Sequence, residues 1–388
     1  SCKDGDKVVV KMISYNEKNQ LAEVVETLGT SGDFLTEELA LIRAHNLREE
    51  FPEEVLKDAD KAAQKQLPRE GRVDLRDHLI ITVDGEDTRD IDDAISVEKK
   101  DGKYYLGVHI ADVSSYVPRG CALDEEAFRR GTSAYFPDRV LPMLPTALSN
   151  GICSLNEGVE RFTLSCFMTI DRKGNMLEKR VAPSIIVSRH RMTYTAVTAL
   201  SEHDKAAVRQ YPDLVEFVDT AIELTKILKA ARERRGGVAL DIKEAKILFE
   251  NGRISIPDYT RSISHEMIEQ FMVLANESVA TIMTQMEMPF VYRVHEQPSA
   301  EKAQDFTSFL REAGVRAKFD SSNVRPVDYA ALLRSLEGDP LYPLVNRVML
   351  RSMMKARYAE VNLGHFGLTR LHHRPQHDAV DERIQRIA

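Results

Sequence analysis

Residues 80–98 read IITVDGEDTRDIDDAISVE: two apolar, β-branched runs around an acidic loop. The first run, Leu79 to Val83, reads as a strand that delivers Asp84 at its end. Asp90, Asp92 and Asp93 then arrive just before the second run. Successive side chains of a strand point to opposite faces, so Asp92 and Asp93 share one site only if the backbone from Gly85 to Asp93 curls back on itself. Gly85 and its polar neighbours make that curl feasible. Four carboxylates at the edge of a core repel one another unless a cation holds them. All-oxygen ligands favour a hard divalent ion, magnesium or manganese rather than zinc. An EF-hand fails on spacing: counted from Asp84, its glycine position holds Arg89 and its bidentate glutamate position holds Ile95. A solvated surface loop is the plain alternative, and the apolar strands on both sides argue against it because they set the acids against a core. A carboxylate-held magnesium ion with open positions suits phosphoryl chemistry.

Outside this stretch, the 388 residues are 43% hydrophobic and 29% charged, which fits a folded protein of two or three domains. No apolar run approaches the roughly 18 residues of a membrane span. The N-terminal SCKDGDKVVV has no apolar signal core and reads as the inside of a domain, so the chain is expected to begin mid-fold. None of the four cysteines forms a CxxC pair, which argues against a zinc ribbon or a dithiol redox motif and leaves a reducing cytoplasm as the expectation. The net charge of −8 argues against a broad nucleic-acid-binding exterior. It leaves room for an enzyme that takes a single strand into a basic channel.

KVVVKMISY (7–15) and LAEVVETLG (21–29) read as a hairpin, the end of a small β-barrel whose earlier strands are missing. From Leu35 to Gln66 the pattern turns helical, with Pro52, Glu53 and Glu54 suited to a first turn. DLRDHLIITVDG, KYYLGVHIADVSSYV and RFTLSCFMTID read as strands, whereas Asp213 to Arg235, Ser264 to Met286 and Ala300 to Ala313 carry helical periods. Ile268, Phe271, Met272 and Ala275 form one stripe, which reads as core. Strands followed by helices predict an α+β domain, with a mixed β-sheet core and packed helices.

The acidic stretch resembles the first signature of the RNB catalytic domain of the ribonuclease II and ribonuclease R family. GVHIADVSSYV, SAYFPDRVLPMLPTALSNGICSLN, RHRMTYTAV, RGGVALDIKEAKI, IEQFMVLANESVA, YRVHEQPS and MLRSMMKARY with NLGHFGL follow in the family's order. The ribonuclease R pattern is the nearer of the two. The N-terminal hairpin resembles the last strands of the cold-shock-type OB domain that precedes RNB. The resemblance implies an OB remnant at 1–30, a helical connector at 31–70, an incomplete RNB domain at 71–368 and a divergent tail at 369–388. It implies a monomeric 3′→5′ exoribonuclease that hydrolyses single-stranded RNA to 5′-nucleoside monophosphates, without a membrane. Asp84, Asp90, Asp92 and Asp93 fall on the family's magnesium-binding aspartates, with Asp92 and Asp93 catalytic and Asp92 indispensable. Tyr135 falls on an aromatic that stacks on the terminal bases, and Tyr194 and Glu269 fall near the RNA backbone and sugar. A carboxylate accepting from a 2′-hydroxyl is one way to prefer RNA.

Two further pairs look chemical and are read as structural. His109 and Asp112 lie on opposite faces of a strand, His109 as architecture and Asp112 as a supporting or turn carboxylate. His295 and Glu296 read as a loop before Pro298. The family continues after GHFGL with a segment of the type HFTSPIRRYPDL, whose arginines support catalysis. This sequence instead reads TRLHHRPQHDAVDERIQRIA. Arg370 and Arg374 lie nearby but outside the motif, and the histidines of HHRPQH could take up a metal only adventitiously. The departure raises the alternative of a catalytically impaired RNA-binding fragment.

Overall fold

A computed structural model describes residues 2–15, 20–237, 247–250, 253–256, 261–316 and 319–368. They group into two compact units. One contains the antiparallel hairpin β1 (Asp6–Tyr15) and β2 (Gln20–Thr30), with α1 (Phe34–Ala44) and α2 (Glu53–Ala63). It also takes in a later stretch holding α3 (Ala122–Arg130), β7 (Ala134–Tyr135) and β8 (Val140–Leu141), and the small hairpin β12 (Leu248–Glu250) and β13 (Arg253–Ser255). The first helix starts where Asp33 caps the N–H of Thr36. It docks on the hairpin through Arg43, whose guanidinium meets Glu26 of β2 at 2.8 Å. The fully buried Glu126 of α3 is held between Arg48 and Arg130, at 2.7 and 3.0 Å. Among the described residues no barrel closes around β1 and β2, and Val10, Ile13, Leu21 and Val25 of this hairpin are exposed.

The second unit is built on a seven-stranded sheet in the order β11-β4-β5-β6-β9-β10-β3. Its strands are β3 (Val73–Asp74), β4 (Ile81–Asp84), β5 (Asp93–Lys100), β6 (Lys103–Ala111), β9 (Glu160–Ile170), β10 (Met176–Val187) and β11 (His190–Thr193). The sheet is mixed: β4 runs parallel to β11 and antiparallel to β5. One face is apolar. Ile95, Leu106, Val108, Cys166 and Met168 belong to one core with α4 (Tyr194–Ser201), the short α5 (Lys205–Gln210), α6 (Val215–Arg234) and α7 (Ile263–Gln285). The stripe expected on α7 meets this face, with Phe271 fully buried. Each such large apolar side chain contributes roughly 1.5–3 kcal/mol on burial.

The other face is polar. His109 takes Ser96 at one ring nitrogen (3.0 Å) and Ser165 at the other (2.7 Å), and Thr163 and Ser184 extend the network. Burial pushes the imidazole down to about 3, so it is neutral. A Cβ on Gly107 would come within 2.4 Å of Ser96 Oγ and 2.8 Å of His109 Nε2, which explains a glycine inside a strand.

A second cluster, around Phe306, Tyr329, Met349 and Phe366, joins α8 (Ala300–Glu312), α9 (Pro326–Ser335) and α10 (Tyr342–Ser352). The short β14 (Tyr292–Val294) pairs with β15 (Arg357–Ala359). The expected strand DLRDHLIITVDG is only partly one: β4 begins at Ile81, and a turn closed by His78 N–H on the Leu75 carbonyl precedes it. Arg370, Arg374 and the HHRPQH histidines lie outside the described residues.

Candidate active site

Asp84 is the last residue of β4, and Asp93 is the first of β5. The eight intervening residues leave the sheet and return to it. Thr88 N–H bonds the Gly85 carbonyl at 3.3 Å and closes the first turn. Two side chains from distant strands and loops then hold the curl. The Arg191 guanidinium donates to the carbonyls of Glu86 and Thr88. The buried Ser154 hydroxyl donates to the Arg89 carbonyl at 2.8 Å and accepts from Ile91 N–H at 3.2 Å. Ile91 itself is buried, pinning the loop to the core, and Asp92 is tied by its carbonyl to Ala111 N–H at 2.9 Å.

This curl brings Asp84, Asp92 and Asp93 within electrostatic reach of one another, and Asp90 within reach of Asp84 and Asp92. Burial raises the Asp84 carboxyl, opposed by the Gly85 N–H at 2.9 Å and the Thr88 side chain, and Asp90 raises it further. Burial, then the charges of Asp84 and Asp90, push Asp92 up to about 6. Asp93 is raised well above the usual carboxylate range by burial, Asp92 and Asp84. Its Oδ2 is sealed from solvent and has no hydrogen-bond partner. An orphaned carboxylate oxygen beside like charges is where a hard cation would supply the missing partner. Among the described residues, however, no three Asp, Glu, His or Cys side chains form a group closed enough to hold an ion. The carboxylates fit such a cation chemically, but they are not drawn into a cage.

Tyr194 and Glu269 belong to the same unit. Thr193 is the β11 partner of Asp84, so Tyr194 stands one residue from the acidic loop. Thr195 Oγ1 reaches Glu86 at 3.0 Å. Glu269, on α7, is held by ion pairs from Arg261 and from Arg232, the latter at 3.5 Å. The expected RNA-contacting glutamate therefore already has cationic partners. Tyr135, in β7, belongs to the other unit and is 67% exposed, which excludes a packed core tyrosine.

His109 and Asp112 are architectural. The buried Asp112 accepts from Arg72 and from Ser115, both at 2.7 Å. His295 bridges to His365 across a short parallel pairing, and Glu296 pairs with Arg357 at 3.0 Å. Sequence reading passed over three residues at the site: Ser154, Arg191 and His265, whose ring lies flat on that of Tyr194. No periodicity marks them, although Ser154 and Arg191 do fall inside the stretches that resemble the family.

The RNB domain profile matches residues 72–372, and a cold shock domain profile matches 1–52. Ribonuclease R of Thermotoga maritima is 45% identical over 94% of this chain and 53% of its own length. Ribonuclease R of Escherichia coli is 40% identical over 94% of this chain and 46% of its own length. The chain thus spans about half the length of the curated relatives it matches. Among solved structures, Mycoplasma genitalium RNase R in complex with ribose-methylated single-stranded RNA superposes with a TM-score of 0.87 at 28% identity, covering 99% of this chain and 61% of that one. Profile, relatives and fold agree with one another, and the chain belongs to the RNB-domain exoribonucleases of the ribonuclease R family.

Proposed function

We propose that this chain is the catalytic part of a 3′→5′ exoribonuclease that hydrolyses single-stranded RNA to 5′-nucleoside monophosphates with magnesium, or manganese in its place. The observation that carries this reading is the frustrated pair Asp92 and Asp93. One carboxyl is pushed up to about 6, and the other has a sealed, unpartnered oxygen. Asp84, Asp90, Asp92 and Asp93 would hold the ion. When bound it would supply a Lewis acid that activates water and neutralises charge on the attacked phosphate. Burial opposes the ionisation of Asp92 and Asp93, and a bound cation would favour the charged form of both. That ties catalytic charge to loading of the site.

The substrate reading draws on the relatives. Mycoplasma genitalium RNase R has been solved with single-stranded and with double-stranded RNA. Here Tyr194 and Glu269 would meet the RNA backbone and sugar, and Arg232 and Arg261 put positive charge beside them in a chain of net charge −8. The exposed Tyr135 ring would stack on a terminal base, which needs only a π-face. Residues 71–368 would form the catalytic domain, after an OB-type hairpin at 1–30 and a helical connector at 31–70 and before a tail at 369–388. The chain would act as a monomer. Its four free thiols suit a reducing cytoplasm, and no described helix is long and apolar enough to cross a membrane.

A 5′-labelled single-stranded RNA, incubated with the chain in magnesium and separately in EDTA, tests the reading. A ladder shortening from the 3′ end, only in magnesium, is expected, with mononucleotide products when the RNA is labelled throughout. RNA that is bound but never shortened would replace this reading by that of a non-hydrolysing RNA-binding protein.

A further inference from the structure

We propose that His265 is a positioning residue for RNA hydrolysis: its imidazole acts as a platform that holds the Tyr194 ring beside the acidic loop. The inference rests on the exoribonuclease reading above and adds to it a residue that does not itself touch substrate.

Tyr194 opens α4 immediately after Thr193, the strand partner of Asp84. Two consecutive residues in the first turn of α7 hold it. The Ser264 hydroxyl donates to the Tyr194 carbonyl at 2.8 Å and contacts Thr198 Oγ1 at 2.9 Å, fixing the backbone. The His265 ring lies against the tyrosine ring with centroids 3.9 Å apart and planes 14° from parallel. The imidazole is locked in turn, since its Nδ1 meets Ser262 Oγ at 2.7 Å within the capping box that starts α7. Glu269 follows four residues later, on the same helical face as His265. The first turns of α7 therefore present a held tyrosine and a carboxylate in one row, next to the loop that carries Asp84.

A tyrosine at a helix start chooses among staggered rotamers, and for Tyr194, itself packed at the edge of the core, the stacked imidazole adds to that choice. Reactive geometry tolerates little of this, because small misplacements are costly in rate. A stacked aromatic pair is worth enough to select one rotamer from its alternatives. The bland account of His265 is a helix cap and nothing more. The two accounts separate because they use different parts of the side chain: capping uses Nδ1, and positioning uses the ring face.

Two substitutions divide those parts. His265→Gln keeps a capping-box acceptor and removes the ring. His265→Phe keeps a ring face and removes the acceptor. Single-turnover cleavage at saturating RNA with magnesium, the RNA Kd in EDTA and the melting temperature are measured for each. His265→Gln is expected to melt near the wild type, to bind RNA within about twofold and to cleave roughly three- to tenfold more slowly. His265→Phe is expected to recover most of that rate while melting lower. Wild-type cleavage by His265→Gln, or a His265→Phe variant as slow as His265→Gln, would overturn the proposal. If the unsubstituted chain binds RNA without shortening it, the hydrolytic reading fails on its own. Positioning is then read from the ratio of affinities for RNA and DNA 3′ ends, and a ratio unchanged in His265→Gln would overturn it.

Discussion

His109 and Asp93 are set on neighbouring strands of one sheet, and they meet burial in opposite ways. On one face, His109 finds a hydroxyl for each ring nitrogen and stays neutral. On the face covered by helices, Asp93 finds no partner for Oδ2 and has Asp92 and Asp84 as like-charged neighbours. The first cluster is closed: every group is satisfied by the fold itself, and nothing is left for a ligand to do. The second is open, and only an added positive charge completes it. Other buried polar atoms also lack a hydrogen-bond partner, Glu126 Oε2 and His295 Nε2 among them, and what sets Asp93 apart is that its orphaned oxygen lies beside two further carboxylates. The type of residue would not have separated them, because a histidine between two serines looks more catalytic on paper than an aspartate in an acidic run.

The largest test of this contrast is catalytic. Asp92→Asn is expected to lower the single-turnover rate by roughly 10²–10³ or more, comparable to losing a preorganised transition-state partner. RNA affinity should stay within a few-fold, because no stacking surface is lost. A variant with wild-type turnover would remove Asp92 from the site.

The closed cluster is tested by acid. The His109 pKa is pushed down to about 3, so the unfolded chain takes up a proton that the folded chain refuses. Stability should therefore fall as pH drops from about 6.5 towards 3, by up to about 1.4 kcal/mol per pH unit from this one group. Urea titrations across that range should show a His109→Asn variant, whatever its absolute stability, with a slope smaller by about one proton. Equal slopes would mean that His109 is not the sealed group the geometry describes.

Packing on the same face gives a third test. Gly107→Ala should cost about 1–3 kcal/mol, because its Cβ would enter space held by Ser96 and His109. A neutral substitution there would show that the network has slack.

The smallest effect has the opposite sign. Asp93→Asn should stabilise the metal-free chain slightly, since it relieves the burial of a carboxylate and its repulsion by Asp92 and Asp84. It should also abolish the rise in melting temperature that magnesium is expected to give the wild type. Destabilisation of the metal-free form would place Asp93 with the closed cluster.

The sequence alone specified the strand that ends at Asp84, the acidic loop, the apolar stripe of α7 and the α+β order of elements. All of these rest on neighbours in sequence, where a period of 2 or 3.6 shows directly which side chains share a face. It also required that the backbone from Gly85 to Asp93 curl back. What makes it curl was decided only by tertiary structure. Ser154 reaches the loop from 63 residues beyond Ile91, and Arg191 from 105 residues beyond Glu86. The Tyr194–His265 stack joins the starts of two helices that meet only because both pack on one sheet. The grouping of α3, β7 and β8 with the N-terminal hairpin is likewise invisible in sequence order. Such contacts carry no period, because the sheet order β11-β4-β5 is set by which apolar faces can be buried together and not by where the strands fall along the chain.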